Sequence, residues 1–244
     1  VLHPLQTEAL FYVPQRTDFM MAFFYLATFY CSLRYWSQLT LPAVEGTGGS
    51  APVKKPILQP RTIWLILAIL ACAAGMASKE VMVSAPLMVL LFERTFIVES
   101  LKEALRRSWP LYAGLAATWL VLLFANLGSP RGNSAGFSIG VSAYQWWLIQ
   151  AKVLLMYLKL VFWPSPLLLH YIFPYFTTLT ETWIFVVPVL LLVVIVCILL
   201  WRNNPLGFLG ALLFAILSPT LIVPIITEMA AERRMYLPLL ALAI

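Results

Sequence analysis

The sequence predicts an all-α membrane protein, a polytopic bundle of transmembrane helices, because of two features. Of its 244 residues, 62% are hydrophobic and 11% are charged, whereas an average soluble domain has roughly 45–50% apolar and about 25% charged residues. A soluble protein of this size would lack the polar residues to cover its surface. The apolar runs are also long, without the strict alternation of a membrane β-barrel, and in lipid such runs must pair their backbone groups as helices.

Six apolar segments have about the length of a membrane-spanning helix, roughly 17–25 residues, and a seventh starts close to the end of the chain. These segments are 19–36, 62–77, 81–97, 109–127, 183–201, 206–226 and one that begins at 235. Trp183 and Trp201 flank the cleanest of them, as aromatic residues do at membrane interfaces. The stretches 38–61 and 128–140, rich in Gly, Ser and Pro, predict loops. The whole chain is therefore expected to be one partial transmembrane domain.

The segment 141–163 has a different pattern. It is apolar, yet Gln145, Lys152 and Lys159 recur at every seventh residue and lie along one helical stripe. Such a helix either lines a polar cavity or lies at the interface, with its lysines at the lipid headgroups. If it spans the membrane, the polar cluster 232–234 is cytoplasmic; if it is interfacial or re-entrant, that cluster faces outward. The bias of Lys and Arg toward cytoplasmic loops slightly favours the first arrangement.

The net charge of +6 does not indicate nucleic-acid binding. The basic residues are scattered through the predicted loops and form no basic face with interleaved aromatic residues, so anionic lipid headgroups account for most of them. Cys31, Cys72 and Cys197 each lie in an apolar run without CxxC or Cys/His spacing. Neither a disulfide framework nor a metal site is predicted from them, and packing between helices is their expected role.

Four groups of polar residues remain that membrane topology does not explain. They are His3–Glu8 with Gln15–Asp18, the triplet Ser78-Lys79-Glu80, the pair Lys152 and Lys159, and Glu228 with the run Glu232–Pro238. A charge at bilayer depth costs about 2.5–3.5 kcal/mol on insertion scales, so such groups face a cavity, form pairs or bind a ligand. Each group alone also fits an ordinary role, such as an ion pair at the membrane boundary or a solvated loop. Together, on one side of the membrane, they suit the binding of a phosphate-bearing lipid.

The order of these groups along the chain resembles a known family. The stretches concerned are His3-Pro4-Leu5-Gln6-Thr7-Glu8-Ala9 before Gln15-Arg16-Thr17-Asp18, Ser78-Lys79-Glu80, Tyr157-Leu158-Lys159-Leu160 before Trp163-Pro164, and Ala231-Glu232-Arg233-Arg234-Met235-Tyr236-Leu237-Pro238. They resemble the transmembrane-and-tetratricopeptide-repeat proteins, which comprise eukaryotic protein O-mannosyltransferases and many bacterial relatives. The resemblance covers essentially the whole chain. The first and last stretches are the specific ones, and the middle two add weight by order and spacing.

The resemblance implies a GT-C glycosyltransferase fold and a corresponding activity. Such an enzyme takes a sugar, mannose in the eukaryotic members, from a polyprenyl-phosphate donor and passes it to a Ser or Thr hydroxyl of an acceptor protein. The implied location is a bacterial inner membrane or the endoplasmic reticulum membrane, with the active face extracytoplasmic. Membrane lipid, the donor and the acceptor protein are then the expected partners. The cluster 232–234 faces outward in that family, which makes the segment 141–163 interfacial or re-entrant.

The resemblance also assigns roles to residues. Those expected to bind the donor phosphate are Arg233, Arg234, Lys79 and Lys159. Those expected to shape the site are His3, Glu8, Arg16, Asp18, Glu80, Glu232 and Tyr236. An inverting transfer needs a carboxylate base and cations that stabilise the departing phosphate. No covalently bound cofactor and no metal site are predicted, and any metal requirement of the transfer stays open.

The catalytic base is not assigned to a residue of this chain. In the family it is an acidic residue of the first outer loop, which would precede Val1, and the tetratricopeptide repeats would follow Ile244. The chain begins without Met and ends inside an apolar run, so we expect an internal fragment of a longer protein that is inactive alone. Two other functions stay open: a non-catalytic membrane anchor for a repeat domain that binds partners, and a transporter or flippase, which the Pro-broken segment 206–226 would also suit.

Overall fold

The computed structural model describes residues 3–6, 16–40, 59–127, 136, 142–168, 171, 173–174, 176, 178–225 and 228–243. Within these ranges the chain is mostly helical and has no strand, which confirms the predicted all-α class. The predicted loops 38–61 and 128–140 lie largely outside the described residues, and Glu8 lies outside them. The GT-C arrangement of the helices stays a prediction.

Nine α-helices are found in the described residues. They are α1 (Arg16–Thr40), α2 (Pro60–Ser78), α3 (Ala85–Phe96), α4 (Leu101–Arg107), α5 (Trp109–Leu127), α6 (Ala143–Phe162), α7 (Leu179–Trp201), α8 (Pro205–Ile222) and α9 (Pro238–Ala243). Short 3₁₀ helices are also present at Pro4–Gln6, Glu80–Ser84 and Glu232–Met235.

Three of the described helices, α2, α7 and α8, are long and apolar enough to cross a membrane. A fourth crossing results if the run Glu80–Phe96 and α4, which meet at an angle of 111°, form one broken span. The chain is therefore compatible with a membrane protein, as its composition predicts. The helices α1 and α5 coincide with the predicted spans 19–36 and 109–127 but are not among the three; in α1, polar residues such as Arg34 lower the hydropathy. Their crossing of the membrane stays a prediction.

Proline residues start two helices at places that the sequence predicted only approximately. The predicted span 81–97 is divided into the 3₁₀ helix Glu80–Ser84 and α3, which has Pro86 in its first turn. The helix expected from residue 235 begins instead at Pro238. In the first turn the missing N–H of proline has no helical partner to lose, so proline is well tolerated there.

The helix α8 corresponds to the predicted span 206–226 but ends earlier, at its C-terminal end. It begins after Asn204, whose side chain accepts a hydrogen bond from the N–H of Leu206 at 2.9 Å, as an N-cap residue does. It ends at Ile222, two residues before Pro224. A proline cannot continue a helix, so this end follows from the sequence.

Two buried clusters of hydrophobic side chains meet at α8. The larger cluster lies among α1, α2, α3 and α5 and includes Tyr25 and Met76. The second lies around α6 and includes Leu154. From α8, Phe208 belongs to the first cluster and Leu217 to the second. The helix α7 packs on α6 and α8, but its most apolar stretch has no buried residue, which is the pattern of a lipid-facing helix.

The break between α2 and α3 depends on a close contact at Gly75. After α2 ends at Ser78, Lys79 has an extended backbone (φ −158°, ψ 144°), and its N–H donates to the carbonyl oxygen of Gly75 at 3.0 Å. The chain then folds back, so that a Cβ added to Gly75 would lie 2.7 Å from the Sδ of the fully buried Met82. A side chain at position 75 would therefore require the buried Met82 side chain to shift, next to the break that carries Lys79.

Candidate anion-binding cleft

Four parts of the chain meet at a cleft: the first turn of α1, the break after α2, the C-terminal half of α8 and the stretch 233–237. The residues that line it are Asp18, Met21, Lys79, Val81, Ile216, Leu217, Thr220, Arg233, Arg234, Tyr236 and Leu237. The cleft has about 20 Å³ of internal space, room for about one water molecule, and is partly open to the outside. It therefore brings together residues from both ends and the middle of the chain.

An ion pair between Asp18 and Lys79 forms one side of the cleft. Asp18 lies in the first turn of α1, where the helix dipole favours a carboxylate, and only 6% of its side chain is exposed. The Lys79 side chain is 29% exposed. Because the helix break places Lys79 at the cleft, its ammonium group contacts both the carboxylate and the open space.

Arg233 and Arg234 lie on the other side, on the 3₁₀ helix Glu232–Met235. Arg233 forms an ion pair with Glu228. Arg234 donates to the main-chain oxygen of Glu228 at 2.9 Å and lies 3.8 Å from its carboxylate. The Arg234 side chain is 8% exposed, and its buried Nη1 has no hydrogen-bond partner among the described residues. An unsatisfied buried donor costs about 1–3 kcal/mol, and more when it is charged, so the partner of this nitrogen is to be sought beyond the described residues, in the rest of the chain or in a ligand.

The balance of charge at the cleft favours an anion. Of the lining residues that the structure describes, three are cations (Lys79, Arg233 and Arg234) and one, Asp18, is a carboxylate. Guanidinium and ammonium groups bind phosphate through charge-assisted hydrogen bonds, which are roughly twice as strong as neutral ones. The apolar part of the lining lowers the local dielectric and strengthens such bonds further.

The stretch that carries the arginines is held by a buried carboxylate, Glu232, which is 3% exposed. Its Oε1 accepts hydrogen bonds from the hydroxyl of Tyr171 at 2.5 Å and from the N–H of Leu168 at 2.8 Å. Burial, and then the hydrogen bond to Glu232, raise the pKa of the Tyr171 hydroxyl above its usual value, so the hydroxyl is protonated at neutral pH. Through these hydrogen bonds, Glu232 links the connection after α6 to the 3₁₀ helix. It is not part of the described lining of the cleft.

Five of the residues that the sequence singles out line the cleft. They are Lys79, Arg233, Arg234, Asp18 and Tyr236. The first, second and last of the four motifs therefore converge in space, as a shared site requires. The phosphate contacts themselves stay a prediction.

The other described residues of the predicted site lie elsewhere. Lys159 and Arg16 are exposed and are not part of the described lining. His3 pairs through Nε2 with the main-chain oxygen of Val161 at 2.9 Å, which is a local role at the end of α6. Glu80 is partly buried and opens the 3₁₀ helix after the break. The position of Lys159 gives no support to its predicted contact with the donor phosphate.

The polar stripe on α6 does not form one environment. Gln145 caps the first turn of α6 through a capping box. The Lys152 Nζ instead lies 5.3, 5.5 and 5.4 Å from the ring centroids of Phe173, Phe176 and Phe185. Aromatic rings from the next connection and from α7 thus contact the cation of Lys152, while the contact of the stripe with a polar cavity or with headgroups stays a prediction.

Sequence reasoning assigned no site role to Glu228, Tyr157 or Tyr171. Glu228 lies in the same polar cluster as the arginines, five residues before Arg233, and this proximity was the available signal. Tyr157 and Tyr171 belong to α6 and the connection after it. Tyr157 stands in the third motif of the resemblance, but no spacing in the sequence places it or Tyr171 beside the stretch that carries the arginines.

Among the described residues, no group of three or more His, Cys, Asp or Glu side chains is placed to hold a metal ion. No family model matches the chain, and no curated protein or solved structure shows a significant match to it. The resemblance to the transmembrane-and-tetratricopeptide-repeat proteins therefore stays a prediction from the sequence motifs.

Proposed function

We propose that this chain belongs to the membrane region of a glycosyltransferase and that the cleft binds the phosphate of its donor. The donor is a polyprenyl-phosphate sugar, mannose or a similar sugar, and the acceptors are Ser or Thr hydroxyls of proteins on the extracytoplasmic face. The observation that carries the proposal is a cleft lined by Lys79, Arg233 and Arg234, where the buried Nη1 of Arg234 has no partner among the described residues. The motif resemblance supplies the identity of the anion.

The proposed reaction requires cations at the phosphate. The acceptor hydroxyl attacks the anomeric carbon of the sugar and gives its proton to a carboxylate base. The bond between that carbon and the phosphate oxygen breaks, and its electrons stay on the oxygen. Cations that already face this oxygen stabilise the developing charge most strongly in the transition state. Arg233 and Arg234 offer planar pairs of donors for two oxygens, and Lys79 adds a compact charge.

The apolar part of the cleft suits a lipid-linked phosphate. Met21, Val81, Leu217 and Leu237 border the charged groups. The helix α8, which supplies part of the lining, and the helix α2, which ends directly before Lys79, are also long and apolar enough to cross a membrane. A phosphate bound here lies beside apolar helices, as the headgroup of a membrane lipid does.

The substitution Arg234→Ala in the full-length protein tests the proposal. Sugar transfer from polyprenyl-phosphate mannose to an acceptor peptide is measured with purified protein in nanodiscs. We expect kcat/KM to fall by about 100-fold or more, because loss of one preorganised donor to a developing oxyanion costs about 2.7–4 kcal/mol. The matched control is Arg202→Ala, since Arg202 is exposed at the turn between α7 and α8, and it should transfer sugar at the wild-type rate.

Two results would contradict the proposal in different ways. Equal kcat/KM for Arg234→Ala and the wild type would remove Arg234 from the phosphate site. Wild-type protein that binds polyprenyl phosphate but transfers no sugar would exclude the glycosyltransferase activity. In that case, an anchor or a flippase with a lipid-phosphate site would replace it.

A further inference from the structure

The stretch that carries the two arginines is fixed to α6 by side chains. Gln150 donates from Nε2 to the main-chain oxygen of Met229 at 3.1 Å. Seven residues later, on the same face of α6, the hydroxyl of Tyr157 contacts the backbone of Ala231. Gln150 is 4% exposed and Tyr157 is 1% exposed, so both bonds are shielded from water. These two side chains hold alternate residues of the chain just before Arg233.

The Tyr157 hydroxyl pairs with both polar groups of a single residue. It accepts a hydrogen bond from the N–H of Ala231 at 2.8 Å and donates to its carbonyl oxygen at 3.0 Å. Ala231 has an extended backbone (φ −147°, ψ 131°) and immediately precedes the 3₁₀ helix Glu232–Met235. The same hydroxyl is an electrostatic neighbour of the Arg234 guanidinium. Tyr157 therefore fixes the start of the 3₁₀ helix and borders the arginine that has the unpaired nitrogen.

We infer that Tyr157 is a positioning residue of the cleft, which holds Ala231 so that Arg233 and Arg234 are directed at the bound phosphate. The inference rests on the proposed function for the identity of that ligand. A phenylalanine would fill the same space but leave the N–H of Ala231 without this partner. The carbonyl oxygen would still accept from the N–H of Arg234 at 3.2 Å. The arginines would then lose their fixed direction while the core around α6 stays packed.

The first test compares Tyr157→Phe with Tyr144→Phe in the full-length protein without ligand. Tyr144 lies on the same helix, is 48% exposed, and undergoes the same chemical change. Hydrogen–deuterium exchange in nanodiscs measures the protection of the amides in 228–235. We expect the Ala231 amide to exchange about tenfold faster in Tyr157→Phe, as the loss of one buried hydrogen bond predicts, and at the wild-type rate in Tyr144→Phe. Equal exchange in Tyr157→Phe and the wild type would overturn the inference.

The second test measures the binding of undecaprenyl phosphate to the same three proteins. We expect Kd to rise by about tenfold in Tyr157→Phe, the equivalent of one hydrogen bond, and to stay unchanged in Tyr144→Phe. Faster amide exchange with an unchanged Kd would overturn the positioning role, because Tyr157 would then contribute to structure alone. Failure of the wild type to bind this lipid would overturn the proposed function. It would also overturn the part of the inference that directs the arginines at a bound phosphate. The exchange experiment would still decide whether Tyr157 fixes the stretch that carries the arginines.

Discussion

Two buried clusters of polar side chains lie near the two ends of α3 and differ in one respect. At the C-terminal end, Glu93 is fully buried, and its two carboxylate oxygens accept hydrogen bonds from Ser108, at 2.8 Å, and from Tyr112. Trp36 donates to the Ser108 hydroxyl at 3.1 Å. Near the other end, in the cleft, Arg234 has a buried nitrogen without a partner among the described residues. Within the described residues, the hydrogen bonds of the first cluster are satisfied and those of the second are not.

The difference distinguishes two roles that a buried ionisable side chain can have. A group whose hydrogen bonds are all made within the protein fixes the packing of helices. A group with an unpaired donor beside a cleft needs a partner from outside, because unsatisfied buried donors are rare in folded proteins. In the sequence, Glu93 and Arg234 look alike, since both adjoin apolar stretches. Only their hydrogen-bond partners distinguish them.

The largest change in stability is expected from Glu93→Gln, which breaks the satisfied cluster. An amide nitrogen cannot accept a hydrogen bond, so the hydroxyl of Ser108 or of Tyr112 loses its acceptor. We expect the free energy of unfolding in detergent micelles to fall by about 1–3 kcal/mol, while the folded protein keeps its affinity for polyprenyl phosphate. Glu103→Gln, at an exposed carboxylate on α4, is the control. Weaker phosphate binding at unchanged stability would place Glu93 in the phosphate site. The distinction between the two buried polar clusters would then be wrong.

An intermediate effect of opposite sign is expected from Glu228→Gln at the cleft. The Glu228 carboxylate pairs with Arg233 and lies 3.8 Å from Arg234, so it competes with a phosphate for the same donors. Without this charge, we expect the affinity for polyprenyl phosphate to rise about tenfold, which equals roughly 1.4 kcal/mol. The binding measurement is repeated with Glu181→Gln, an exposed carboxylate in the first turn of α7. A fall in affinity would mean that Glu228 orients the arginines and does not compete.

The smallest effect is expected from Lys152→Met, in the cluster of three phenylalanine rings. A cation–π contact contributes about 0.5–1 kcal/mol at exposed sites, and methionine keeps most of the apolar length of the side chain. The free energy of unfolding should therefore fall by about 1 kcal/mol or less, with no change in phosphate affinity. Lys159→Met, at the exposed lysine of the same helix, controls for the loss of charge. A clear loss of phosphate affinity in Lys152→Met would connect this cluster to the cleft.

The long helices of the described chain could be predicted because length and hydropathy are local properties of the sequence. Their details could not. The 3₁₀ helix Glu80–Ser84 depends on the packing of Met82 against Gly75, which no local preference encodes. The stripe on α6 correctly placed Lys152 on one helix face, but the rings that meet this face come from residues 21 to 33 positions later in the chain.

For the candidate site, charge in an apolar sequence was the useful signal. It selected Lys79, Arg233 and Arg234, because a buried cation must find a partner or a cavity wherever it lies. Tyr157 was missed for the converse reason: a tyrosine on an apolar helix has the pattern of a core residue, and its partner Ala231 has no polar side chain. Such contacts between side chain and backbone leave no trace in a sequence pattern.

The contact at Gly75 makes the chemistry of the cleft depend on a residue without a functional group. A single methyl at this position would lie 2.7 Å from the Sδ of Met82, so the buried Met82 side chain would have to shift. Because Met82 lies on the 3₁₀ helix directly after Lys79, such a shift would act on the segment that carries Lys79 without any change in the lysine itself. Selection for substrate affinity would therefore act on the smallness of residue 75, at a position that no ligand touches.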